Sequence, residues 1–425
     1  MSTRLIIHGG KEIAGTIDVR GSKNAALPII ASTVLTEEPC RISNVPRVLD
    51  VERMLSILER MGGIIKQEGN HTVTIQNKNL DLEALKSDTV KQLRASILFL
   101  GPLLRRFGKV CMRYPGGCKI GARSIDTHLT ALRDLGGDVY LGRKYFSVEF
   151  GEKASFPNAL ILKEFSVTAT ENVMMFLSSV PKTTFLKIAA SEPHIQDLAK
   201  FLSKMGATIR GAGTSNVVIK GREKLSGASH RIVPDYIEAG TFLLLALCAR
   251  GNVRIKNAPV SQLDLVLKTL IANGAHINLN ERESVIETRG GIEDRGFGKI
   301  QILPHPGIPT DLQSAFGVLA TQTKGSTLIH EPLYEDRFHA LRELTKMGAS
   351  VKILDPHRAM VTGPSKLKGV DGVVIQDLRG GAALVIAALI ARGTTVLSNA
   401  KEVERGYEDL AGRLRALGAD IERVA

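Results

Sequence analysis

Six stretches of the chain show the apolar and polar spacing of an amphipathic helix and then end alike, with a glycine, a small residue and a β-forming segment. The six endings are Met61-Gly62-Gly63, Leu135-Gly136-Gly137, Met205-Gly206-Ala207, Asn273-Gly274-Ala275, Met347-Gly348-Ala349 and Leu417-Gly418-Ala419. Glycine at this place permits the left-handed backbone conformation that closes a helix. We therefore predict a helix before each glycine and a strand after it, as at Thr208-Ile209.

The spacing of these glycines reveals an internal duplication. Gly62 and Gly274, Gly136 and Gly348, and Gly206 and Gly418 are each 212 residues apart. Unequal intervals that recur in the same order are the signature of a repeated unit. The chain of 425 residues is therefore predicted to form two domains, each with three copies of one α/β unit.

A second set of helices is almost wholly apolar. Runs such as 97–104, 242–248 and 382–391 are too short to cross a bilayer and fit buried helices. Each is followed by a turn and a strand, as at Gly393-Thr394-Thr395-Val396. One unit is thus predicted to contain a buried helix, a strand, an exposed amphipathic helix and further paired strands.

The first turns of the buried helices are polar. They open on Ser22-Lys23-Asn24, Leu93-Arg94-Ala95, Ser166-Val167-Thr168, Pro234-Asp235 with Glu238, Pro309-Thr310-Asp311, and Asp377-Leu378-Arg379. Ordinary N-capping explains Ser166 and Thr310. It does not explain Lys23, Arg94 and Arg379, because cations oppose the positive end of the helix dipole. Helix N-termini also bind anions, so we expect the two halves to face each other across a cationic site for an anionic substrate.

Composition leaves three explanations for the net charge of +13: a solvated basic surface, nucleic-acid binding, or anionic small substrates. The basic residues are scattered and no aromatic-rich RNA motif accompanies them, which argues against nucleic acid. The start of the chain has no secretory segment and the four cysteines show no disulfide pattern, so cytoplasm is the expected compartment. No Cys/His metal spacing occurs, and we expect neither a metal nor a cofactor, nor a membrane partner.

One cysteine lies in a setting that favours reactivity. Cys118 sits in a glycine-rich stretch beside Gly117 and Lys119, with Arg123 close behind. Exposure and neighbouring positive charge favour the thiolate form. The other cysteines, Cys40, Cys111 and Cys248, are expected to be buried apolar residues.

These motifs together resemble one enzyme family. The segments are Gly21-Ser22-Lys23-Asn24-Ala25-Ala26-Leu27-Pro28, Arg94-Ala95-Ser96, Pro115-Gly116-Gly117-Cys118, Gly121-Ala122-Arg123, Pro309-Thr310-Asp311, Asp377-Leu378-Arg379 and Arg405-Gly406-Tyr407. They resemble the UDP-N-acetylglucosamine 1-carboxyvinyltransferases, a family of enolpyruvyl transferases, over the whole chain. The resemblance implies an inside-out α/β barrel with two pseudo-threefold domains, each of three βαβαββ units. It implies one domain from residues 1–22 and 234–425 and another from 23–233.

The resemblance also implies a reaction and roles for residues. The family moves the enolpyruvyl group of phosphoenolpyruvate to the 3-hydroxyl of UDP-N-acetylglucosamine and releases phosphate, in the first committed step of peptidoglycan synthesis. Catalytic roles are implied for Cys118 as general acid, Asp311 as general base, and Lys23, Arg405 and Asp377. Phosphoenolpyruvate binding is implied for Lys23, Asn24, Arg123, Arg337, Arg379 and Arg405. UDP-N-acetylglucosamine binding is implied for Asn24, Arg94, Arg123, Ser124, Ile125, Asp126, Thr127, Glu164, Phe165, Ser166, Val167, Asp311 and Leu333.

Several positions depart from the family pattern near the nucleotide. They are Ser124 where proline is common, Thr127 where leucine is common, Glu164 for lysine, Thr168 for glycine and Tyr236 for arginine. An enolpyruvyl transferase acting on another nucleotide or nucleotide sugar therefore remains an alternative. The shikimate-pathway transferase shares the architecture, but the Pro-Gly-Gly-Cys loop argues against it. A non-enzymatic nucleic-acid-binding repeat protein is a further alternative. We expect a monomer.

Overall fold

The computed structural model describes residues 3–116, 124–151, 156–292, 296–335 and 337–424, and it has mixed α/β content. The strands in these ranges are β1 Arg4–His8, β2 Ala14–Asp18, β3 Cys40–Ser43, β4 Ile64–Gln67, β5 Thr72–Gln76, β6 Lys109–Arg113, β7 Gly137–Leu141, β8 Tyr145–Phe150, β9 Ala159–Ile161, β10 Thr183–Lys187, β11 Thr208–Arg210, β12 Asn216–Lys220, β13 Ser229–Arg231, β14 Asn252–Lys256, β15 Ala275–Asn280, β16 Val285–Ile292, β17 Lys299–Gln301, β18 Gly325–His330, β19 Ser350–Asp355, β20 Arg358–Gly363, β21 Val373–Val374, β22 Thr394–Ser398 and β23 Asp420–Val424.

Helices alternate with these strands. They are α1 Lys23–Ser32, α2 Leu49–Arg60, α3 Asp88–Lys91, α4 Leu100–Phe107, α5 Asp126–Asp134, α6 Val167–Ser178, α7 Pro193–Met205, α8 Tyr236–Cys248, α9 Asp264–Ala272, α10 Gln313–Ala320, α11 His339–Lys346, α12 Leu378–Ile390 and α13 Leu410–Arg415. Short 3-10 helices cover Thr33–Leu35, Leu82–Lys86, Arg94–Phe99, Val260–Gln262, Thr310–Leu312 and Ala400–Arg405. No helix within the described ranges has both the length and the apolarity needed to cross a bilayer.

The described residues divide into two compact units. The first comprises 3–20 and 234–424, and the second comprises 21–116 and 124–233. Each unit has its own apolar core: one is built around α8, α10 and α12, and the other around α1, α4 and α6. Because β1 and β2 pair with strands of the C-terminal half, the start of the chain belongs to the first unit.

Five sheets within the described ranges share one pattern of strand directions, in which a parallel pair is followed by two antiparallel pairings. The orders are β21-β22-β1-β23, β15-β16-β14-β2 and β17-β18-β20-β19 in the first unit, and β11-β12-β10-β9 and β13-β3-β5-β4 in the second. The sixth sheet, β6-β8-β7, has three strands there. The segment that precedes its buried helix forms the 3-10 turn Leu82–Lys86 and the short helix α3 instead of a strand.

All six glycines singled out by the repeat adopt the left-handed backbone. Their φ angles run from 85° at Gly274 to 120° at Gly206. Each follows one of the amphipathic helices α2, α5, α7, α9, α11 and α13. These φ angles confirm the prediction of helix-closing glycines. Glycine is favoured at these positions because a side chain is disfavoured in this region of backbone conformation.

The buried helices are also as predicted, with one difference at their starts. Every residue of α8 is buried, and so is every residue of α12 except Ile390. However, α4 and α10 do not begin in α conformation at their polar first turns. The 3-10 turns Arg94–Phe99 and Thr310–Leu312 precede them. In the first of these, the Ser96 hydroxyl donates to the Leu93 and Val90 carbonyls, a local bond that competes with regular helix.

A buried ion pair ties α13 to α8 in the first unit. Arg413 donates from Nη1 to Oε1 of Glu238 at 2.5 Å and from Nη2 to its Oε2 at 3.2 Å. The same Nη2 donates to the Asp18 carbonyl at 2.7 Å, and the Arg20 amide donates to Glu238 at 2.7 Å. The guanidinium lies 4.8 Å from the centre of the Phe242 ring. Fork-to-fork geometry of this kind is the strong form of ion pair.

Two of the three described cysteines match the expectation of apolar burial. Cys40 and Cys248 are buried, and burial raises the pKa of the Cys40 thiol to about 11. Cys111 is only partly buried, so that expectation is wrong for it. The reason is strand alternation: Val110 and Met112 face the core from β6, which turns Cys111 to the other side.

Candidate functional site

Asp311 lies between two arginines that come from distant parts of the first unit. Arg337 donates from Nη2 to Asp311 Oδ1 at 2.8 Å, and Arg379 donates from Nε to Asp311 Oδ2 at 3.1 Å. Both arginine side chains are 4% exposed, while Asp311 is 24% exposed. The structure thus brings three sequence-predicted residues into one cluster, which we call the Asp311 cluster: Asp311, Arg337 and Arg379.

Arg379 has hydrogen-bonding capacity to spare. Its Nη1 and Nη2 are buried and make no hydrogen bond of ordinary geometry with the described residues, although the nearby Tyr407 hydroxyl interacts with the guanidinium. The guanidinium lies 5.1 Å from the centre of the Tyr407 ring, whose hydroxyl bonds Thr241 at 2.8 Å. Burial opposes the charge of Arg379, but nearby Tyr407 and Asp311 raise its pKa, so it stays a cation. Unsatisfied buried donors on a cation suit an anionic ligand.

Thr310 and Glu331 support the Asp311 cluster. Arg337 donates from Nη1 to Thr310 Oγ1 at 2.6 Å. The Thr310 hydroxyl in turn donates to Oε2 of Glu331, a carboxyl group with no solvent exposure. Burial raises the pKa of Glu331, while the Thr310 bond and the charge of Arg337 act in the opposite direction.

Asp377 serves as a helix cap. Its Oδ1 accepts the backbone N–H groups of Arg379 at 3.0 Å and Gly380 at 2.9 Å, at the start of α12. A Cβ on Gly380 would come within 2.5 Å of Asp377 Oδ2, so glycine is needed for the carboxylate to lie so close. Burial opposes the charge of Arg337, while the charges of Asp311 and then Asp377 raise its pKa. The two capping bonds account for the position of the Asp377 carboxylate beside Arg379.

Arg405 and Leu333 complete the predicted residues of the first unit. Arg405 ends the 3-10 helix Ala400–Arg405, is buried, and bonds Glu402 from Nη1 at 2.9 Å. Leu333 is exposed, and its backbone N–H donates to Glu331 Oε1 at 3.0 Å. Tyr236 is buried at the start of α8, with its ring centre 6.0 Å from that of His305.

Lys23 has a carboxylate partner in the second unit. It is the first residue of α1, and its Nζ lies 3.1 Å from Asp50 Oδ2 on α2. Ser22 caps α1 by accepting the Ala25 N–H, and Asn24 beside Lys23 is partly exposed. Both Lys23 and Asp50 are buried. An acidic partner explains how a cation is tolerated at a helix N-terminus.

Most of the residues predicted for the nucleotide lie on the segments 124–127 and 164–167, and Arg94 bonds the first of these. Arg94 donates from Nη2 to the Ser124 carbonyl at 2.8 Å, and the Ser124 hydroxyl accepts the Asp126 N–H at 3.0 Å. Thr127 donates to Glu164 Oε1 at 2.6 Å. The remaining predicted residues here are the buried Ile125, the exposed Phe165, Ser166, which caps α6, and Val167, the first residue of that helix. Two departures from the family pattern, Thr127 and Glu164, are therefore bonded to each other.

Beneath these segments lies a buried polar network centred on His128. Its Nε2 bonds the Thr168 hydroxyl at 2.9 Å, and its Nδ1 bonds Asn172 Nδ2 at 3.0 Å. Asn172 also accepts the Gly101 N–H at 2.7 Å and donates to the Ile97 carbonyl at 3.0 Å. Burial, and secondarily the charge of Arg94, lowers the pKa of His128 to about 3. The imidazole is therefore neutral in the folded protein at neutral pH.

This lowered pKa predicts acid destabilisation. The unfolded chain protonates His128 near its ordinary pKa of about 6.5 while the folded protein does not, so stability falls as pH drops through this range. Between pH 7 and pH 5 the histidine should account for about 2 kcal/mol of lost unfolding free energy. Denaturant unfolding at both pH values should show this loss in the wild type and a correspondingly smaller loss in His128→Gln. Equal losses in the two proteins would contradict the assignment.

Two predicted residues, Cys118 and Arg123, lie outside the described residues. Three others were missed from the sequence: Asp50 pairs with Lys23, Glu331 accepts from Thr310, and Asn172 bonds His128. An acidic residue in the first turn of α2 was the available signal for Asp50. Glu331 and Asn172 gave none, since each acts through partners more than 20 residues away. Among the described residues, no group of His, Cys, Asp and Glu side chains is placed to hold a metal ion.

Comparisons with known proteins identify the family of the chain. The family described as EPSP synthase (3-phosphoshikimate 1-carboxyvinyltransferase) matches residues 7–414. The chain is 41% identical to the UDP-N-acetylglucosamine 1-carboxyvinyltransferase of Coxiella burnetii, over 99% of this chain and 96% of that protein. It is 40% identical to the protein of the same name in Treponema denticola, over 98% of each.

Solved structures share the fold. The enolpyruvyl transferase NikO from Streptomyces tendae matches with a TM-score of 0.89 at 24% identity, covering 100% of this chain and 99% of that one. An EPSP synthase from Acinetobacter baumannii matches with a TM-score of 0.74 at 17% identity, over the full length of both. The TM-scores establish the α/β fold, whereas the sequence relatives at about 40% identity establish the family. The chain belongs to the UDP-N-acetylglucosamine 1-carboxyvinyltransferase family of enolpyruvyl transferases.

Proposed function

We propose that this protein transfers the enolpyruvyl group of phosphoenolpyruvate to the 3-hydroxyl of UDP-N-acetylglucosamine and releases phosphate. This is the first committed step of peptidoglycan synthesis. The observation that carries the proposal is the Asp311 cluster, in which a partly exposed carboxylate lies between two buried cations. It occurs in a chain 41% identical to an enzyme named for this reaction.

The reaction has two steps in this proposal. In the addition, the sugar oxygen bonds C2 of phosphoenolpyruvate, the hydroxyl loses its proton to Asp311, and Cys118 gives a proton to the methylene carbon. In the elimination, the Cys118 thiolate takes a proton back from the new methyl group and the double bond re-forms. The bond between C2 and the phosphate oxygen breaks, and phosphate leaves with the proton that Asp311 had taken. The general base and acid each accelerate such a step by about 10²–10⁴-fold. Cations around both ends of phosphoenolpyruvate stabilise the charge that develops.

The remaining roles follow the chemistry of the side chains. Arg337 and Arg379 hold the substrate carboxylate, since guanidinium groups bind carboxylates in bidentate fashion. The phosphate is held by Lys23, Arg123 and Arg405, with Asn24 contacting the sugar. Asp377 assists proton transfer from its capping position. The uridine and diphosphate are held by Arg94, residues 123–127 and 164–167, and Leu333.

The bonds of Asp311 suggest how substrate binding prepares the base. Both carboxylate oxygens of Asp311 accept guanidinium hydrogens, at 2.8 Å and 3.1 Å. A carboxylate engaged by two cations is a weak base. The carboxylate of phosphoenolpyruvate can use the spare donors of Arg379, but at Arg337 both terminal nitrogens are already bonded, so its binding displaces Asp311 from Arg337. The released oxygen then accepts the proton of the sugar hydroxyl.

The bond between Thr127 and Glu164 favours a second candidate acceptor. It fixes a carboxylate in the segment assigned to the nucleotide and its diphosphate. A fixed negative charge weakens binding of a diphosphate. A nucleotide or nucleotide sugar that carries less charge near Glu164 is therefore the alternative, with the same enolpyruvyl chemistry.

We further propose the finer architecture of the family. In each unit the buried helices form the centre and the sheets lie outside them, as in an inside-out barrel of three βαβαββ units. The mutual packing of α8, α10 and α12 supports this arrangement. The two domains would comprise residues 1–22 with 234–425, and 23–233. The protein would act as a monomer in the cytoplasm.

Phosphate release from phosphoenolpyruvate tests the proposal. The assay is run with UDP-N-acetylglucosamine, with UMP and with shikimate 3-phosphate as separate acceptors. Release with UDP-N-acetylglucosamine alone is the expected result. Release only with another acceptor would overturn the acceptor and keep the chemistry, and no release with any of the three would overturn both.

A further inference from the structure

We propose that Glu331 is a positioning residue for the substrate carboxylate, acting through Thr310 on Arg337. This inference rests on the proposed function, because it concerns the arginine assigned to phosphoenolpyruvate. The observation behind it is a relay of hydrogen bonds from Arg337 to Thr310 and from Thr310 to Glu331.

The relay has only one workable direction. A guanidinium can only donate, so Thr310 Oγ1 must accept from Arg337 Nη1, which lies 2.6 Å away. The single hydroxyl hydrogen of Thr310 then points to a carboxylate oxygen of Glu331. Without that acceptor the hydrogen is free to turn towards Arg337, where it repels the guanidinium. Glu331 therefore fixes which way the hydroxyl faces.

The geometry of Arg337 shows why the relay matters. The side chain is 4% exposed, so water does not supply acceptors to it. Its Nη1 bonds Thr310 and its Nη2 bonds Asp311, so the two terminal nitrogens are held by different partners. When phosphoenolpyruvate competes with Asp311, the bond to Thr310 is what keeps the guanidinium in place.

Glu331 itself is held rigidly. It follows β18, has no solvent exposure, and its backbone makes two bonds with His357: the Glu331 amide donates to the His357 carbonyl at 2.8 Å, and the Glu331 carbonyl bonds His357 Nδ1 at 2.8 Å. Its second carboxylate oxygen accepts the Leu333 N–H at 3.0 Å. Both oxygens are thus used as acceptors, which glutamine, with one oxygen, cannot reproduce.

The test compares Glu331→Gln with Thr310→Val, which removes the relay hydroxyl and leaves the Glu331–Leu333 bond intact. Each change should raise the KM for phosphoenolpyruvate about tenfold, the effect of one lost hydrogen bond to a charged group. The kcat should stay within about threefold, because the bond holds substrate and transition state alike. Thr310→Ser keeps the hydroxyl and should behave like the wild type. The double variant should be no worse than the more severe single one, since both break one relay.

Glu343→Gln is the matched control. Glu343 is a buried carboxylate of the same unit that bonds the Val374 N–H at 3.1 Å and Lys346 at 2.8 Å, and it does not bond the Asp311 cluster. It should leave the KM for phosphoenolpyruvate unchanged. If the wild type turns over and both Glu331→Gln and Thr310→Val show a normal KM for phosphoenolpyruvate, the inference is overturned and the proposed function stands. Additive effects on this KM in the double variant would have the same consequence. Absence of turnover in the wild type would overturn the proposed function and this inference with it.

Discussion

Replacing Asp311 with asparagine should lower kcat by about 10²–10⁴-fold, the usual contribution of a general base. The KM for phosphoenolpyruvate should stay the same or fall. Asp311 engages Arg337 and Arg379 through charged bonds, and an uncharged asparagine competes less well for them. The substrate carboxylate then meets less competition for the two arginines. Steady-state kinetics with both substrates varied separates the two effects.

Asp355→Asn is the control for this change. Asp355 pairs with Arg358 at 2.6 Å in the same unit and does not bond the Asp311 cluster. Its replacement should leave both kinetic constants unchanged. A kcat within about threefold of the wild type in Asp311→Asn would remove Asp311 from the role of base. A large rise in the KM for phosphoenolpyruvate would contradict competition between Asp311 and the substrate.

Arg413→Met should destabilise the first unit by about 3–5 kcal/mol, because it leaves the buried charge of Glu238 without its partner. The side chains of Glu238 and Arg413 are 3% and 10% exposed, so solvent replaces little of the lost interaction. The methionine keeps an apolar stem against Phe242. For a unit of this size, the loss should lower the unfolding temperature by roughly 10 °C. Calorimetry on the whole chain measures it.

Arg254→Met provides the comparison for an exposed pair in the same unit. Arg254 bonds Glu287 at 3.0 Å and Glu283 at 3.3 Å, with its own side chain 43% exposed. Such surface pairs contribute about 0–1 kcal/mol. Similar decreases of the unfolding temperature in Arg413→Met and Arg254→Met would show that the buried ion pair contributes no more stability than the surface pair.

The fold was predictable wherever the signal is local in the sequence. The glycines of the repeat, such as Gly62 and Gly274, are forced by the backbone itself, and their φ angles of 100° and 85° confirm the prediction. The buried helices were also predictable, because a long apolar run is a local signal in the sequence. The 3-10 turn at Arg94–Phe99 was not predictable, because it depends on hydrogen bonds from the Ser96 hydroxyl to backbone carbonyls that precede it in the chain.

The site was predictable only in part. Cations at helix starts marked Lys23 and Arg379, since the helix dipole makes them conspicuous. Their pairing with acidic partners was not predictable: Asp50 reaches Lys23 from another helix, and Asp311 reaches Arg379 across 68 residues of sequence. Glu331 was hidden because nothing near it in the sequence distinguishes a carboxyl group that supports the site from one at the surface. Such pairings are properties of the tertiary structure.

The most direct test is to identify the bond that the protein makes. The protein is incubated with UDP-N-acetylglucosamine and phosphoenolpyruvate labelled with carbon-13 at C2, and the product is examined by NMR. The labelled carbon should appear as an enol ether on the 3-oxygen of the GlcNAc ring, with one phosphate released for each ether formed. Label that remains in phosphoenolpyruvate, or that appears on a different hydroxyl, would contradict the proposed reaction.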